Sequence, residues 1–287
     1  MNDLAKPVPY NEYEAPHADL REFLTRVDRA GELLRVPGAD WNLEMGTLAE
    51  VVNQGARNQA PAILFDDIPG YPKGFRVLSG ATNSMRRLAI SMGFPVPGHP
   101  LDVVQSYRDR MQTHKPIPPR VVKSGSVLEN VLRDGEVDVL KFPVPFLHEL
   151  DGGRYLGTDD IVIMRDPEEN WVNCATYRVM VHDAKRLGIW ISPGKQGRQI
   201  REKYFKQGKP CPVLVSCGHD PLLFLAGSNE LRFGLSEYDY VGGHRGEPVD
   251  VVESELYGLP MPAHAELVIE GEMVPGDVAP EGPFGEF

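Results

Sequence analysis

The sequence lacks every short signature that would assign a chemistry at once. No G-x-G-x-x-G follows a strand, and there is no Walker loop, no G-x-S-x-G and no H-E-x-x-H. Those absences leave no sequence grounds for a Rossmann dinucleotide site, a P-loop, a nucleophile-elbow hydrolase or a zincin. Cysteine is scarce: Cys174, Cys211 and Cys217 have neither the even count of a disulfide framework nor C-x-x-C spacing. No apolar run is long enough to cross a bilayer, and no basic segment followed by an apolar stretch opens the chain, so the expectation is a cytoplasmic protein with no membrane partner. Positive charge is in deficit. At a net charge of −11 the chain has no basic footprint for nucleic acid, whereas acidity suits a site that binds metal. The eight histidines are scattered, none paired at helical spacing, and each alone reads as a surface or satisfied core residue.

What is present is a chain of two textures. Residues 1–17 are polar and dotted with proline, an arm. Leu20, Phe23, Leu24 and Val27 then form the stripe of an amphipathic helix, with Asp19 and Glu22 as a capping-box variant and Gly31 as its stop. LLRV (33–36), AILFDD (62–67) and FRVLSG (75–80) read as strands; Met45–Val52, NSMRRLAISMG and LDVVQSYRDRMQ read as helices. Alternation of this kind predicts an α/β domain over 18–118. HKPIPPRVV (114–122) reads as a linker, because Pro116, Pro118 and Pro119 forbid a helix. Beyond it, 119–287 is built of short β-branched and aromatic runs with turn signals between them: DDIVIMRD, VNCATYRVMV, LGIWIS, PVLVSCG, LLFLAG, VDVVESELYG and AELVIEGEM. They predict a mostly β domain, of which a barrel is one form, interrupted by the single helix GRQIREKYFKQG.

Four stretches stand out. In NCATYR, Asn173 and Arg178 differ by an odd number and would face opposite sides of an unbroken strand. Either a bulge intervenes, one side chain reaches round, or Arg178 is a solvated side chain of an edge strand, the reading that periodicity alone favours. In ISPGKQGRQI a glycine turn opens a helix with Lys195 and Gln196 at its start, which is either an anion cradle or an ordinary strand–helix connection. In AGSNELRFGLSEYDYVGG, Gly227–Asn229 permit close backbone approach and Glu237 and Asp239 offer hard oxygen ligands, although an acidic surface turn explains them as well. In APEGPFGEF, Pro280 and Pro283 stiffen the backbone around Glu281 and Glu286, which would hold two carboxylates close together with an arginine such as Arg178 between them.

Taken together, NCATYR, SPGKQGRQI, SNELRFGLSEYDYVGG and APEGPFGE resemble the UbiD family of decarboxylases that use prenylated FMN, and the resemblance runs from DLREFLTRVDRAGELLRV onward. It implies a split β-barrel, flavin-reductase-like, as the cofactor-binding domain over 119–287. It implies that Asn173 and Glu237 hold a divalent metal, Mn²⁺ or Mg²⁺, with Gln196 where the family usually places a histidine. A Gln carbonyl can still ligate a hard cation. Thr176, Lys195, Gly227, Ser228 and Asn229 would join these residues and Arg178 in holding prenylated FMN and a K⁺ bound largely by backbone carbonyls. Arg178, Glu281 and Glu286 match the family's Glu-Arg-Glu network, with Glu286 as proton donor, and Trp190 and Phe287 match pocket-lining positions. Family members continue past this motif into a C-terminal oligomerisation domain, so the resemblance also makes Phe287 a break point. The implied activity is reversible decarboxylation of an aromatic or α,β-unsaturated acid, free or as a thioester, by a homo-oligomer supplied by a flavin prenyltransferase. Two rivals stand beside it: a catalytically inactive cofactor-binding fragment, and a plain FMN-binding split-barrel oxidoreductase.

Overall fold

The structure, a computed structural model, describes residues 17–56 and 59–285. All of the expected arm except His17 therefore lies outside the described residues. Contacts divide the chain into two compact units that interleave in sequence. The first takes the described residues up to Thr113, then Asp138–Tyr155, then those from Pro283; the second takes His114–Val137 and Leu156–Gly282.

The first unit begins with α1 (Leu20–Arg29). Asp19 Oδ1 accepts the Glu22 N–H at 2.9 Å, and the Glu22 carboxylate returns to the N–H of Ala18 at 2.7 Å, one residue earlier than in the usual capping box. β1 (Leu33–Pro37), α2 (Glu44–Ala56) and β2 (Ala62–Asp66) form a parallel strand pair joined by a helix, and β3 (Val77–Ser79) adds antiparallel to β2. α3 (Met85–Ser91) and α4 (Pro100–Thr113) complete the regular elements. β2 is buried on both faces. Ala62 and Leu64 pack with Phe23, Leu24, Val27 and Ile90, whereas Ile63 and Phe65 pack with Met45 and Ile68. The fully buried Arg87 gives its Nη1 to Glu32 at 2.8 Å and its Nε to the carbonyls of Gly80 and Ala81.

The return of 138–155 to this unit has a visible cause. Leu43 N–H donates to Phe146 O at 2.8 Å, Phe146 N–H donates to Trp41 O at 3.0 Å, and a Cβ on Gly46 would run into the Leu147 carbonyl. Pro283–Gly285 is held just as definitely. Gly152 N–H donates to Pro283 O at 2.7 Å, Gly285 N–H donates to Asp151 Oδ1 at 2.8 Å, and the Phe284 ring lies 4.2 Å from Tyr155.

In the second unit β4 (Arg120–Val121) comes first, and β5 (Arg154–Gly157) carries the chain across from the first. β6 (Ile161–Arg165), β7 (Val172–Ala175), β8 (Arg178–Val181), β9 (Leu187–Trp190), α5 (Gln196–Lys206), β10 (Cys211–Cys217), α6 (Pro221–Ser228), α7 (Glu237–Arg245), β11 (Asp250–Glu253), β12 (Pro260–Pro262) and β13 (Leu267–Met273) follow. A four-stranded antiparallel sheet runs β13-β10-β6-β7, leaving β7 at its edge; β12-β11-β4 forms a second sheet, and β8 pairs with β9. Val162, Met164, Val213 and Val215 share one core with Val179, Ile191 and Ile200.

Three features differ from the sequence reading. LLFLAG forms α6, not a strand, because Asp220 caps Leu222 N–H and Pro221 occupies the first turn; a short apolar run does not distinguish the two states by period. GLSEYDYVGG contributes α7, so three helices rather than one interrupt the β elements. The proline-rich 114–122 is no free linker. Ile117 N–H donates to Asp239 O at 2.9 Å, Gly242 and Gly243 admit the backbone of Ile117 and Lys115, and Arg120–Val121 is a strand.

Asp160, just before β6, is 1% exposed, and neither carboxylate oxygen has a hydrogen-bond partner among the described residues. Burial raises its proton affinity well above the usual carboxylate range, and Asp159 adds to the effect. A raised native value means stability present at acid pH and lost as pH climbs above the unfolded value near 4. Relative to Asp160→Asn, the wild-type chain should therefore lose up to ~1.4 kcal/mol per pH unit above that point. Urea unfolding of both chains between pH 4 and 7 measures this, and parallel curves would contradict it.

Candidate active site

β7 is the edge of its sheet, so the N–H groups of alternate residues point away from the ladder and need partners. Two helix ends supply them. The Glu237 carboxylate at the start of α7 accepts the Cys174 N–H at 2.7 Å, and Gly227 O at the end of α6 accepts the Thr176 N–H at 3.2 Å. Asn173 and Met164 are register partners and share a face of the sheet, the face on which Gly197 of α5 would bring a Cβ against Met164 and the Tyr177 hydroxyl. Thus Asn173 meets Glu237 at the sheet edge and Gln196 from α5.

The three predicted ligands do gather. Asn173 Nδ2 donates to Gln196 Oε1 at 3.1 Å and lies 3.4 and 3.5 Å from the Glu237 oxygens. Gln196 Nε2 donates to Leu231 O at 2.8 Å, which turns Gln196 Oε1 into the cluster. Among the described residues, Asn173 Oδ1 and Ser236 Oγ are buried without hydrogen-bond partners. Burial pushes the Glu237 carboxyl up to about 7, against the lowering effect of the Cys174 N–H. Among the described residues no three of His, Cys, Asp and Glu assemble as a metal cluster. The oxygen donors here are two amides and one carboxylate.

The second cluster begins five residues beyond Asn173, at Arg178. β7 ends at Ala175, and after Thr176 and Tyr177 the chain enters β8 in another sheet, so the parity argument that opposed Asn173 and Arg178 does not apply. Nor is Arg178 a solvated edge residue: its side chain is 21% exposed, and Nε and Nη2 donate to Glu281 Oε2 at 3.1 and 2.8 Å. Its guanidinium stands 6.0 Å from the ring of Trp190, its register partner. Glu286 and Phe287 lie outside the described residues.

Other predicted residues are turned elsewhere. Lys195 caps α5 without a side-chain cap bond and lies 3.6 Å from Glu230 at the surface. Ser228 Oγ donates to Phe224 O and Asn229 Nδ2 to Leu225 O, both within α6. Gly227 has Cys174 O 3.0 Å from where its Cβ would stand, a tight approach of α6 to β7. Sequence reasoning missed Ser236, Leu231 and Gly197. The G-x-S spacing before Glu237 carries no sequence signal, but a glycine at the first turn of a helix, as at Gly197, is a readable sign of close approach.

A buried amide–carboxylate cluster and an arginine–carboxylate pair thus lie within the second unit. The chain belongs to the UbiD family. Residues 120–287 match the 3-octaprenyl-4-hydroxybenzoate carboxy-lyase Rift-related domain, and residues 24–107 match the N-terminal domain of the same carboxy-lyases. The pyrrole-2-carboxylic acid decarboxylase of Pseudomonas aeruginosa is 38% identical over 94% of this chain and 55% of its own length. The closed form of Sedimentibacter hydroxybenzoicus vanillic acid decarboxylase superposes with a TM-score of 0.88 at 31% identity, over 94% of this chain and 58% of that one. An evolved dimeric form of the UbiD-class enzyme HmfF from Pelotomaculum thermopropionicum, in complex with prFMN, gives 0.83 at 30%, over 94% and 60%. The chain thus spans little more than half the length of these relatives.

Gly197→Ala tests how tightly the cluster is built. Its Cβ would stand 2.7 Å from the Tyr177 hydroxyl, and Gly197 N–H already donates to that oxygen at 3.2 Å. The substitution should push α5, and Gln196 with it, off the sheet at a cost of about 1–3 kcal/mol in urea unfolding. An unchanged midpoint would show that the helix has room to spare.

Proposed function

We propose that this protein is a non-oxidative decarboxylase of an aromatic or α,β-unsaturated acid, working with prenylated FMN held in a split-barrel second domain. The observation that carries the reading is the Arg178–Glu281 pair, its arginine five residues beyond Asn173 of a buried amide–carboxylate cluster in a UbiD-family chain.

The residues present fit a hard divalent ion. Asn173 Oδ1 is a buried oxygen with no partner among the described residues, and Gln196 Oε1 already faces the cluster. Turning the Asn173 amide would present that oxygen where Nδ2 now bridges Gln196 and Glu237, giving three oxygen donors and no nitrogen. A set with one carboxylate leaves the second charge of Mn²⁺ or Mg²⁺ unmet by the protein, which suits an anionic phosphate. The carbonyls at the end of α6, around Gly227–Asn229, offer oxygens for K⁺.

When bound, prenylated FMN supplies the electrophilic carbon that takes up the electrons left as CO₂ departs. The chain's own groups then have defined tasks. Arg178 pairs with Glu281 and holds its carboxylate in place, and its cationic fork also suits a substrate carboxylate. Glu286 delivers the proton to the carbon that has lost CO₂. Trp190, 47% exposed, offers an apolar face to an aromatic acid. Lys195 and Thr176 complete the cofactor's surroundings, and Phe287 the substrate's.

The test uses a chain extended to the length of its relatives and produced alongside a flavin prenyltransferase. CO₂ release from aromatic and acrylic acids, with the mass of the released flavin, is measured. Glu286→Gln should lower turnover by at least ~10²-fold while flavin is retained; unchanged turnover would exclude Glu286 as proton donor. Prenylated FMN retained without CO₂ release would point to a cofactor-binding role. Flavin reduction by NADH without prenylation would point to an oxidoreductase.

Glu237→Gln separates metal binding from folding. The amide still accepts the Cys174 N–H but carries no charge, so Mn²⁺ binding by calorimetry should weaken at least ~10-fold with no loss of folding stability. Undiminished binding would remove Glu237 from the ligand set.

A further inference from the structure

The face of the β8–β9 ribbon that carries Arg178 carries a second polar residue next to Glu281. Arg178 is opposite Trp190 and Met180 is opposite Gly188, so alternate residues along β8 share one side. His182 follows at the same interval. It lies just past the strand end, where its N–H still donates to Arg186 O at 2.9 Å. Its ring folds back over Gly188: a Cβ built there would be 2.6 Å from His182 Nε2 and 3.7 Å from Glu281 Cγ. The imidazole and the stem of Glu281 therefore share the space above one glycine. The segment bearing Glu281 crosses this face pinned at two points, by Asp277 to Arg186 and by Glu281 to Arg178.

We propose that His182 is a positioning residue for the Arg178–Glu281 pair, packing beside the Glu281 stem over Gly188 so that the carboxylate stays turned toward the guanidinium. Gly188 is the other half of the device, since any side chain there displaces the ring. Asp183 fixes the turn by accepting the N–H groups of Lys185 and Arg186 at 2.8 and 2.9 Å, which sets where His182 leaves the strand. His182 is exposed, so replacing it leaves the core intact.

The direct readout is the exchange rate of the Arg178 Nε–H, followed by nitrogen-15 NMR on the present chain. That proton is held by Glu281, and its protection reports how well the pair is formed. His182→Ala should accelerate exchange by roughly threefold or more. Gly188→Ala should do the same in the wild-type chain but add little to His182→Ala, because the ring it would collide with is gone. His182→Gln, whose amide reaches about as far as Nε2, should restore protection. Unchanged exchange in His182→Ala, equal effects of Gly188→Ala in both backgrounds, or a glutamine variant as fast as alanine would each overturn the proposal. A second arm rests on the function proposed above: in the extended decarboxylase, His182→Ala should lower kcat with little change in KM, and a lowered affinity at constant kcat would count against it. If the parent enzyme releases no CO₂ at all, that function fails while the exchange measurement still decides the role of His182.

Discussion

The unpaired edge of β7 is the constraint from which the site follows. An antiparallel edge strand exposes every second N–H, and a buried one left unmatched costs about 1–3 kcal/mol. Here the partners are a carboxylate from the start of α7 and a carbonyl from the end of α6. Satisfying Cys174 N–H brings Glu237 beside Asn173, because the two residues are neighbours on that strand. Gln196 arrives from the opposite side on α5, which Gly197 lets down onto Met164 and Tyr177. Edge protection and the gathering of these three side chains are thus one event. Helix ends placed at a sheet edge for backbone reasons leave polar side chains converging there.

The two clusters differ in how their charge is managed. Glu237 is buried with neutral amides and one backbone donor, an environment that favours its protonated form. Glu281 instead has a guanidinium bonded to it through two nitrogens. A carboxylate of the first kind gains from a cation in place of its proton, whereas one of the second kind already has a counter-ion. The break at Thr176–Tyr177 lets one continuous stretch serve both, because it moves Arg178 out of the sheet that holds Asn173.

Much of the first unit was legible. The stripe of α1, its cap at Asp19, its stop at Gly31 and the buried β2 are local patterns, and local physics enforces them. The second unit was read less well where tertiary context decides. LLFLAG has no period of its own, and only Asp220 and Pro221 favoured a helix. The proline-rich stretch at 114–122 forbids a helix as expected, yet docking against α7 makes it ordered packing rather than a spacer. For the site, spacing alone pointed the wrong way on Arg178. The resemblance to a family put Arg178, Glu281, Asn173, Gln196 and Glu237 forward, and their convergence in pairs and triples is a property of the fold that no spacing rule contains.

Glycine carries more of this architecture than its usual association with turns conveys. Gly31, Gly246 and Gly282 have the left-handed backbone that marks glycine in sequence. Gly188, Gly197 and Gly227 do not; at each, another atom stands 2.4–3.0 Å from where a Cβ would be. These three stand under Glu281, under the start of α5 and against the backbone of Cys174, so the absence of a methyl group sets the approach of each element that carries the chemistry. Such a requirement leaves no trace in φ or in turn propensity. It also makes the site intolerant of the smallest substitutions, because a displaced helix or imidazole moves a functional side chain along with it.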